Sequence, residues 1–214
     1  VTARPAQPPR PTPLPARRRD AHATRARILE AARRELTRDP GSRLEDIARA
    51  AGVARRTVHA HFPGRAALVE GLAAEAAEAV RLAVLGVPAA TGDAAADLAR
   101  LVLAVWPVGD RFRSLVRPVR QGLGADRVDE LLAPLRDSVT RVLAEGQRQG
   151  TFPTTVPPGP LGRAVEAQLF TLLDCVDRGV WSDDGTGAAL AALVAVGVAP
   201  DTAAAKVRGP TSCG

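Results

Sequence analysis

The stretch that most constrains this chain is residues 42–65, SRLEDIARAAGVARRTVHAHFPGR. Ser42 and Glu45 have the S-x-x-E spacing of a capping box, which lets a helix begin at Arg43. Leu44, Ile47, Ala48 and Ala51 then recur at i, i+3, i+4 and i+7 and make one apolar stripe. Gly52 follows, where a helix end calls for a left-handed residue. Val53 fills the space beneath the turn, and Ala48 is small where two helices cross. A second helix is predicted from about Ala54 to Phe62, facing inward through Val58 and Phe62, with Pro63 and Gly64 ending it. Its outward face carries Arg55, Arg56, Thr57, His59 and Ala60. Helix, short glycine-bearing turn, helix is the helix-turn-helix arrangement. The second helix of that arrangement enters the major groove of DNA with its N-terminal residues near base edges.

Charge agrees with that reading. Residues 1–72 hold 15 arginines against 7 acidic residues, whereas residues 73–214 hold 14 basic against 16 acidic. A basic first third on a near-neutral body is the footprint of a nucleic-acid module attached to something else. Arginine pairs in bidentate fashion with guanine O6 and N7, so Arg55 and Arg56 are the candidate base readers. Thr57, His59 and Arg65 are candidate phosphate contacts, and Ala54 and Ala60 complete the face. Ser42 and Arg43, at the start of the preceding helix, are candidates to grip the backbone.

At this point a family is recognisable. Glu45-Asp46-Ile47-Ala48, Ala51-Gly52-Val53, Thr57-Val58 and His61-Phe62-Pro63, followed by Arg65 and Leu68, resemble the DNA-binding half of the tetracycline-repressor (TetR) family. The resemblance departs at three positions. The family often has Ser or Thr in place of Ala54, usually Tyr in place of His59, and usually Lys in place of Arg65.

Around this centre the chain reads as helices throughout. The fold class is therefore all-α, about nine helices in all, and the resemblance implies a three-helix helix-turn-helix domain followed by a helical ligand-binding and dimerisation domain. Residues 1–20 hold six prolines and five arginines and are expected to be a disordered basic tail. Arg17-Arg18-Arg19 is either a basic arm reaching DNA or a solvated tail. The DNA-binding domain is assigned to residues 21–72. Its first helix runs from about Ala21 to Arg38, and Asp39-Pro40-Gly41 breaks it. A helix from Arg65, with Leu68, Leu72, Ala76 and Val80 down one face, leads into the second domain, residues 73–200. Pro107–Asp110 is expected to interrupt the next helix, and Pro134 to kink or displace a long one over 126–149. Leu161–Trp181 and Gly187–Val198 form a final pair, and residues 201–214 are expected to be a flexible tail. EGQRQGTF at 145–152 and the closing GVAP look like their counterparts in the family, a looser likeness than the N-terminal motif.

One short helix reads only a few base pairs, so two copies on a two-fold axis are needed to read a palindrome, with half-sites about 34–36 Å apart. The expected partners are thus double-stranded DNA at a palindromic operator and a second copy of the chain. The homodimer is expected through the last two helices, on Leu161, Val165, Leu169, Leu172, Val176 and Val180 with Leu190, Leu193 and Val194. The resemblance also implies a cavity among the middle helices for a small-molecule effector. Trp106, Phe112, Phe170 and Trp181 are the large aromatics of this half and the candidate lining, with Arg113, Gln168 or Asp174 to orient the ligand. The scarcity of polar groups points to a mainly apolar effector.

Enzymatic readings lack their parts. His22, His59 and His61 all lie in the DNA half, away from any candidate nucleophile in the body. Gly122-Leu123-Gly124 lacks the third glycine and the preceding strand of a dinucleotide fingerprint. Asp183-Asp184 reads as a solvated loop pair, and Cys175 and Cys213 have no metal or redox spacing. No cofactor or metal is called for. No run of 18 apolar residues appears and no apolar secretion signal, so no membrane partner and a cytoplasmic location are expected. The functional expectation is a homodimeric transcriptional regulator, most simply a repressor released by a small molecule. The alternatives are an effector-independent DNA-organising protein, or an enzyme or carrier on the same fold.

Overall fold

The computed structural model describes residues 16–209, whose regular elements are all helices. The order is α1 (Ala16–Arg38), α2 (Leu44–Ala50), α3 (Arg55–His61), α4 (Arg65–Gly86) and α5 (Ala94–Arg111), then a single 3₁₀ turn (Arg113–Leu115). There follow α6 (Val116–Gly122), α7 (Ala125–Arg148), α8 (Pro158–Asp177), α9 (Thr186–Ala195) and α10 (Pro200–Arg208). Among the described residues no helix is long and apolar enough to cross a membrane.

Two cores hold the molecule. The first joins α1 to α4: Ile28, Ala32 and Leu36 of α1 meet Ile47 and Ala48 of α2, Val58 of α3, Phe62, and Leu68 and Leu72 of α4. Phe112 and Leu115, from the corner between α5 and α6, complete this core. The body therefore reaches into the N-terminal module, and Thr37 and Ser114 share a hydroxyl hydrogen bond of 2.8 Å across the same junction. The second core is centred on α5, which packs against α4, α7, α9 and α10. Its buried members include Leu98, Val102 and Trp106 of α5, Leu143 of α7, Val165 and Leu173 of α8, and Ala192 and Leu193 of α9. The expected boundary at residues 72 and 73 falls inside α4, which belongs to both halves.

Several local expectations change. α1 begins at Ala16 rather than Ala21; the run after Pro15 is arginine and alanine, both strong helix formers. Residues 1–15 and 210–214, the outer parts of the two expected tails, lie outside the described residues. α5 runs through Pro107 to Arg111 instead of stopping there. α7 likewise runs through Pro134. Both prolines are exposed, so the carbonyl each leaves unpaired stays near water. The segment expected as a flexible tail contains α10, docked through Ala203 and Val207. It carries proline in its first turn, Asp201 near its start, and Lys206 and Arg208 near its end, the charge order that suits a helix dipole.

Candidate DNA interface and ligand cavity

The turn between α2 and α3 is set by its backbone. Gly52 takes φ 64°. Its amide donates to the Arg49 carbonyl at 3.1 Å, and the Val53 amide donates to the Ala48 carbonyl at 3.0 Å. These are the paired bonds of a Schellman ending, and they aim the chain so that α3 crosses α2. Arg43, not Ser42, caps α2, and its amide donates to Asp46 Oδ2 at 3.1 Å. Ser42 is buried, and its hydroxyl donates to the carbonyls of Asp39 at 2.8 Å and Glu35 at 3.3 Å. The serine expected to grip a backbone phosphate instead holds the turn after α1 together.

Val58 and Phe62 lock α3 onto the core, and Arg25 lies over the Phe62 ring at 5.0 Å. What remains outward is Ala54, Arg55, Arg56 and Ala60, all exposed, with Thr57 and His59 half-buried beside them. Arg55 is paired with Glu45 of α2 at 3.0 Å, and its Nε reaches His59 Nε2 at 3.4 Å. Arg43 is exposed at the start of α2. Arg65 is placed differently from expectation. Its guanidinium donates to the Ser42 carbonyl at 2.6 Å and to the Pro40 carbonyl, so it ties the start of α4 to the turn before α2.

The body holds a cavity of about 710 Å³ between α5, α7 and α8, within the range of small-molecule sites. Val102, Trp106, Leu135, Val139, Leu169 and Phe170 supply much of its wall. A smaller cavity of about 110 Å³ continues toward α4 and is bounded by Ala76, Phe112, Leu115 and Val119. The two share Val80, Gly109, Leu132, Phe170 and Leu173.

Of the aromatic candidates, Trp106 and Phe170 line the larger cavity, and Phe112 borders the smaller one. Trp181 stands behind Trp106, edge to face at 6.0 Å. The polar candidates point elsewhere. Arg113 closes on Asp110 at 2.9 Å. Gln168 donates to the Ala191 carbonyl at 3.2 Å. Asp174 pairs with Arg178 at 2.8 Å. Asp183 is no solvated loop residue: it accepts from the amides of Gly187 at 2.8 Å and Ala188 at 3.0 Å and caps α9.

The polar groups that do line the larger cavity are Arg136, Thr140, Arg163 and Glu166. Arg136 meets Glu166 through two nitrogens, one of them at 2.7 Å, and Asp129 Oδ1 at 3.0 Å. Arg163 holds both oxygens of Asp129, at 3.0 and 2.6 Å. The Arg163 and Arg136 guanidiniums hold the Asp129 carboxyl below the usual carboxylate range, and the Glu166 carboxylate pushes Arg136 up. Sequence reasoning followed the aromatics and missed this group. Its one legible sign was that Arg136 and Glu166 interrupt the apolar faces of α7 and α8.

The model of the bacterial regulatory proteins of the tetR family matches residues 28–72, which is α2, α3 and the adjoining parts of α1 and α4. The HTH-type transcriptional repressor LfrR of Mycolicibacterium smegmatis is 39% identical over 86 residues, 40% of this chain and 46% of that protein. The matched stretch thus spans less than half of that relative. The crystal structure of LfrR from Mycobacterium smegmatis in complex with proflavine superposes with TM-score 0.60 and 26% identity, covering 81% of this chain and 94% of that one. The fatty acid degradation regulator FadR from Bacillus halodurans superposes with TM-score 0.67 at 19% identity, covering 81% and 95%, a likeness of fold. Residues 28–72 thus carry the domain of the tetR family of bacterial regulatory proteins, and the helical body behind them is similar in fold to that of the solved TetR-like regulators.

Proposed function

We propose that the chain is a homodimeric, DNA-binding transcriptional repressor released from a palindromic operator by a mainly apolar small molecule. The observation that carries this reading is the outward face of α3. It presents Arg55 and Arg56 to solvent on a helix fixed by Val58 and Phe62, with Arg43 exposed nearby. The base readers are Arg55 and Arg56; Arg43, Thr57 and His59 contact phosphate, and Ala54 and Ala60 let the helix lie close to the groove. Arg65 acts by holding the turn before α2, as does Ser42.

Dimerisation follows from the reading length of one helix. The large apolar residues of the expected seam are largely spent inside the chain: Val165 and Leu193 are buried in its core. Ala164, Ala167 and Thr171 of α8, with Val194 and Ala195 of α9, stay exposed. Small residues at that spacing let two copies bring α8 and α9 together. The cavity beside α5, α7 and α8 is the effector site, and the complex of LfrR with proflavine supports placing a small molecule in this fold. Occupancy reaches the reading heads through the α5–α6 corner, because Phe112 and Leu115 belong to the module's core and also border the smaller cavity.

Electrophoretic shift of the DNA flanking the chain's own coding region tests the whole reading. The expected result is one complex holding two chains per palindrome, resistant to non-specific competitor. Binding that is equal on every sequence and disappears with salt would overturn it.

A further inference from the structure

Resting on the effector reading above, we infer that the ligand of the large cavity is electrically neutral, with one hydrogen-bonding head held at Thr140 and an apolar tail directed toward Phe170 and α4. Every charged side chain on the cavity wall is already matched. Arg136 is spent on Glu166 and Asp129, and Arg163 on Asp129. Two cations and two carboxylates make a closed group of zero net charge. Arg136 and Glu166 are largely buried, at 16% and 18% exposure, so their attraction is little weakened by water. An ionic ligand entering here loses its hydration and finds no unmatched counter-charge, which is the costly case.

The uncharged polar group on the same wall stands in contrast. Thr140 is half-buried and lines the cavity, and among the described residues no hydrogen bond engages its hydroxyl. It offers a donor and an acceptor to a neutral head such as an alcohol or amide. All four polar lining residues come from α7 and α8, and the opposite end is apolar and continues past Leu132 and Phe170 toward α4. The arrangement suits an elongated molecule with its head at α7 and its tail toward the DNA module.

Three probes of one shape test this: decanol, decanoate and decylammonium, titrated calorimetrically into the full chain. Decanol should bind about tenfold or more tightly than either ion. Glu166→Gln leaves Arg136 short of its partner, and should raise decanoate binding relative to decanol. Arg136→Met leaves Glu166 exposed to the cavity and should raise decylammonium instead. Two opposite shifts cannot come from general loosening of the fold. Parent protein that prefers either ion, that binds none of the three, or whose order of preference neither variant changes would overturn the inference. Leu135→Trp, which narrows the cavity, separates the two levels. Decanol binding that it leaves at the parent's strength overturns the cavity reading as well; an ionic preference that it weakens overturns the neutral-ligand inference alone.

Discussion

Arg55 of α3 and Glu45 of α2 form an ion pair across the turn, Nη2 to Oε1 at 3.0 Å, with both side chains substantially exposed. An arginine that reads guanine must leave this partner or share it. Exposed pairs are weak, so the contact parks the guanidinium without locking it. Glu45→Gln removes the competitor, and should tighten operator binding by about two- to fivefold. Fluorescence anisotropy at fixed salt measures it; weaker binding in Glu45→Gln would mean that the carboxylate positions Arg55 for the groove.

Arg65 is predicted to act on stability before it acts on DNA. Its guanidinium donates to the carbonyls of Ser42 and Pro40. Arg65→Ala leaves both without this partner and should cost about 1.5–3 kcal/mol, the range for hydrogen bonds to a charged group. Denaturant unfolding followed by circular dichroism reads this directly. A variant as stable as the parent that binds DNA weakly would restore Arg65 to the list of phosphate contacts.

The first prediction rests on a part of the fold that the sequence announces, the second on a part that it conceals. The α2–turn–α3 unit was legible because Gly52, Val53, Val58 and Phe62 each meet a local geometric demand. The reversal of roles at Ser42 and Arg43 was not legible. The two are adjacent, and which of them caps α2 depends on Ser42 finding the carbonyls of Asp39 and Glu35 in the preceding turn. Phe112 read as a cavity aromatic because its destination, the core of a module far earlier in the chain, follows no local periodicity. The Arg136–Glu166 pair was hidden for the same reason, since 30 residues separate its members. α10 carried its own signals, and was missed because nine mostly small residues look like a tail unless a docking surface exists.

Gly146 is predicted to tolerate no side chain. A Cβ there would stand 2.1 Å from the Phe152 ring, and Phe152 is 2% exposed with no room to retreat. Gly146→Ala should destabilise the body by about 1–3 kcal/mol through overpacking. Pairing it with Phe152→Leu should recover part of that loss in the same unfolding assay, which a purely backbone effect at Gly146 would not allow.

Asp93 couples pH to the docking of α10. It accepts from the Ala96 amide at 3.0 Å and is paired with Lys206. Burial alone would raise its carboxyl; the bonds from Lys206 and Ala96 outweigh burial and set it below its ordinary value of 3.8. A carboxyl lowered by folding contributes stability that is complete above its unfolded pKa and lost as pH falls through the folded one. The stability gap between parent and Asp93→Asn should therefore be steady from about pH 7 to about pH 5 and close below about pH 4. A gap that widens on acidification would reverse the sign and contradict the pairing.

The most direct measurement of the central claim is the affinity of Arg56→Ala for the proposed palindromic operator, sought in the DNA beside the chain's own gene. Arg56 is exposed on α3, and among the described residues no hydrogen bond or ion pair engages it, so its loss should leave the fold intact. The account predicts unchanged unfolding and a loss of operator affinity of about fivefold or more, with non-specific binding altered far less. Parent-like affinity and selectivity in a folded Arg56→Ala protein, and again in Arg55→Ala, would contradict the assignment of α3 as the reading helix.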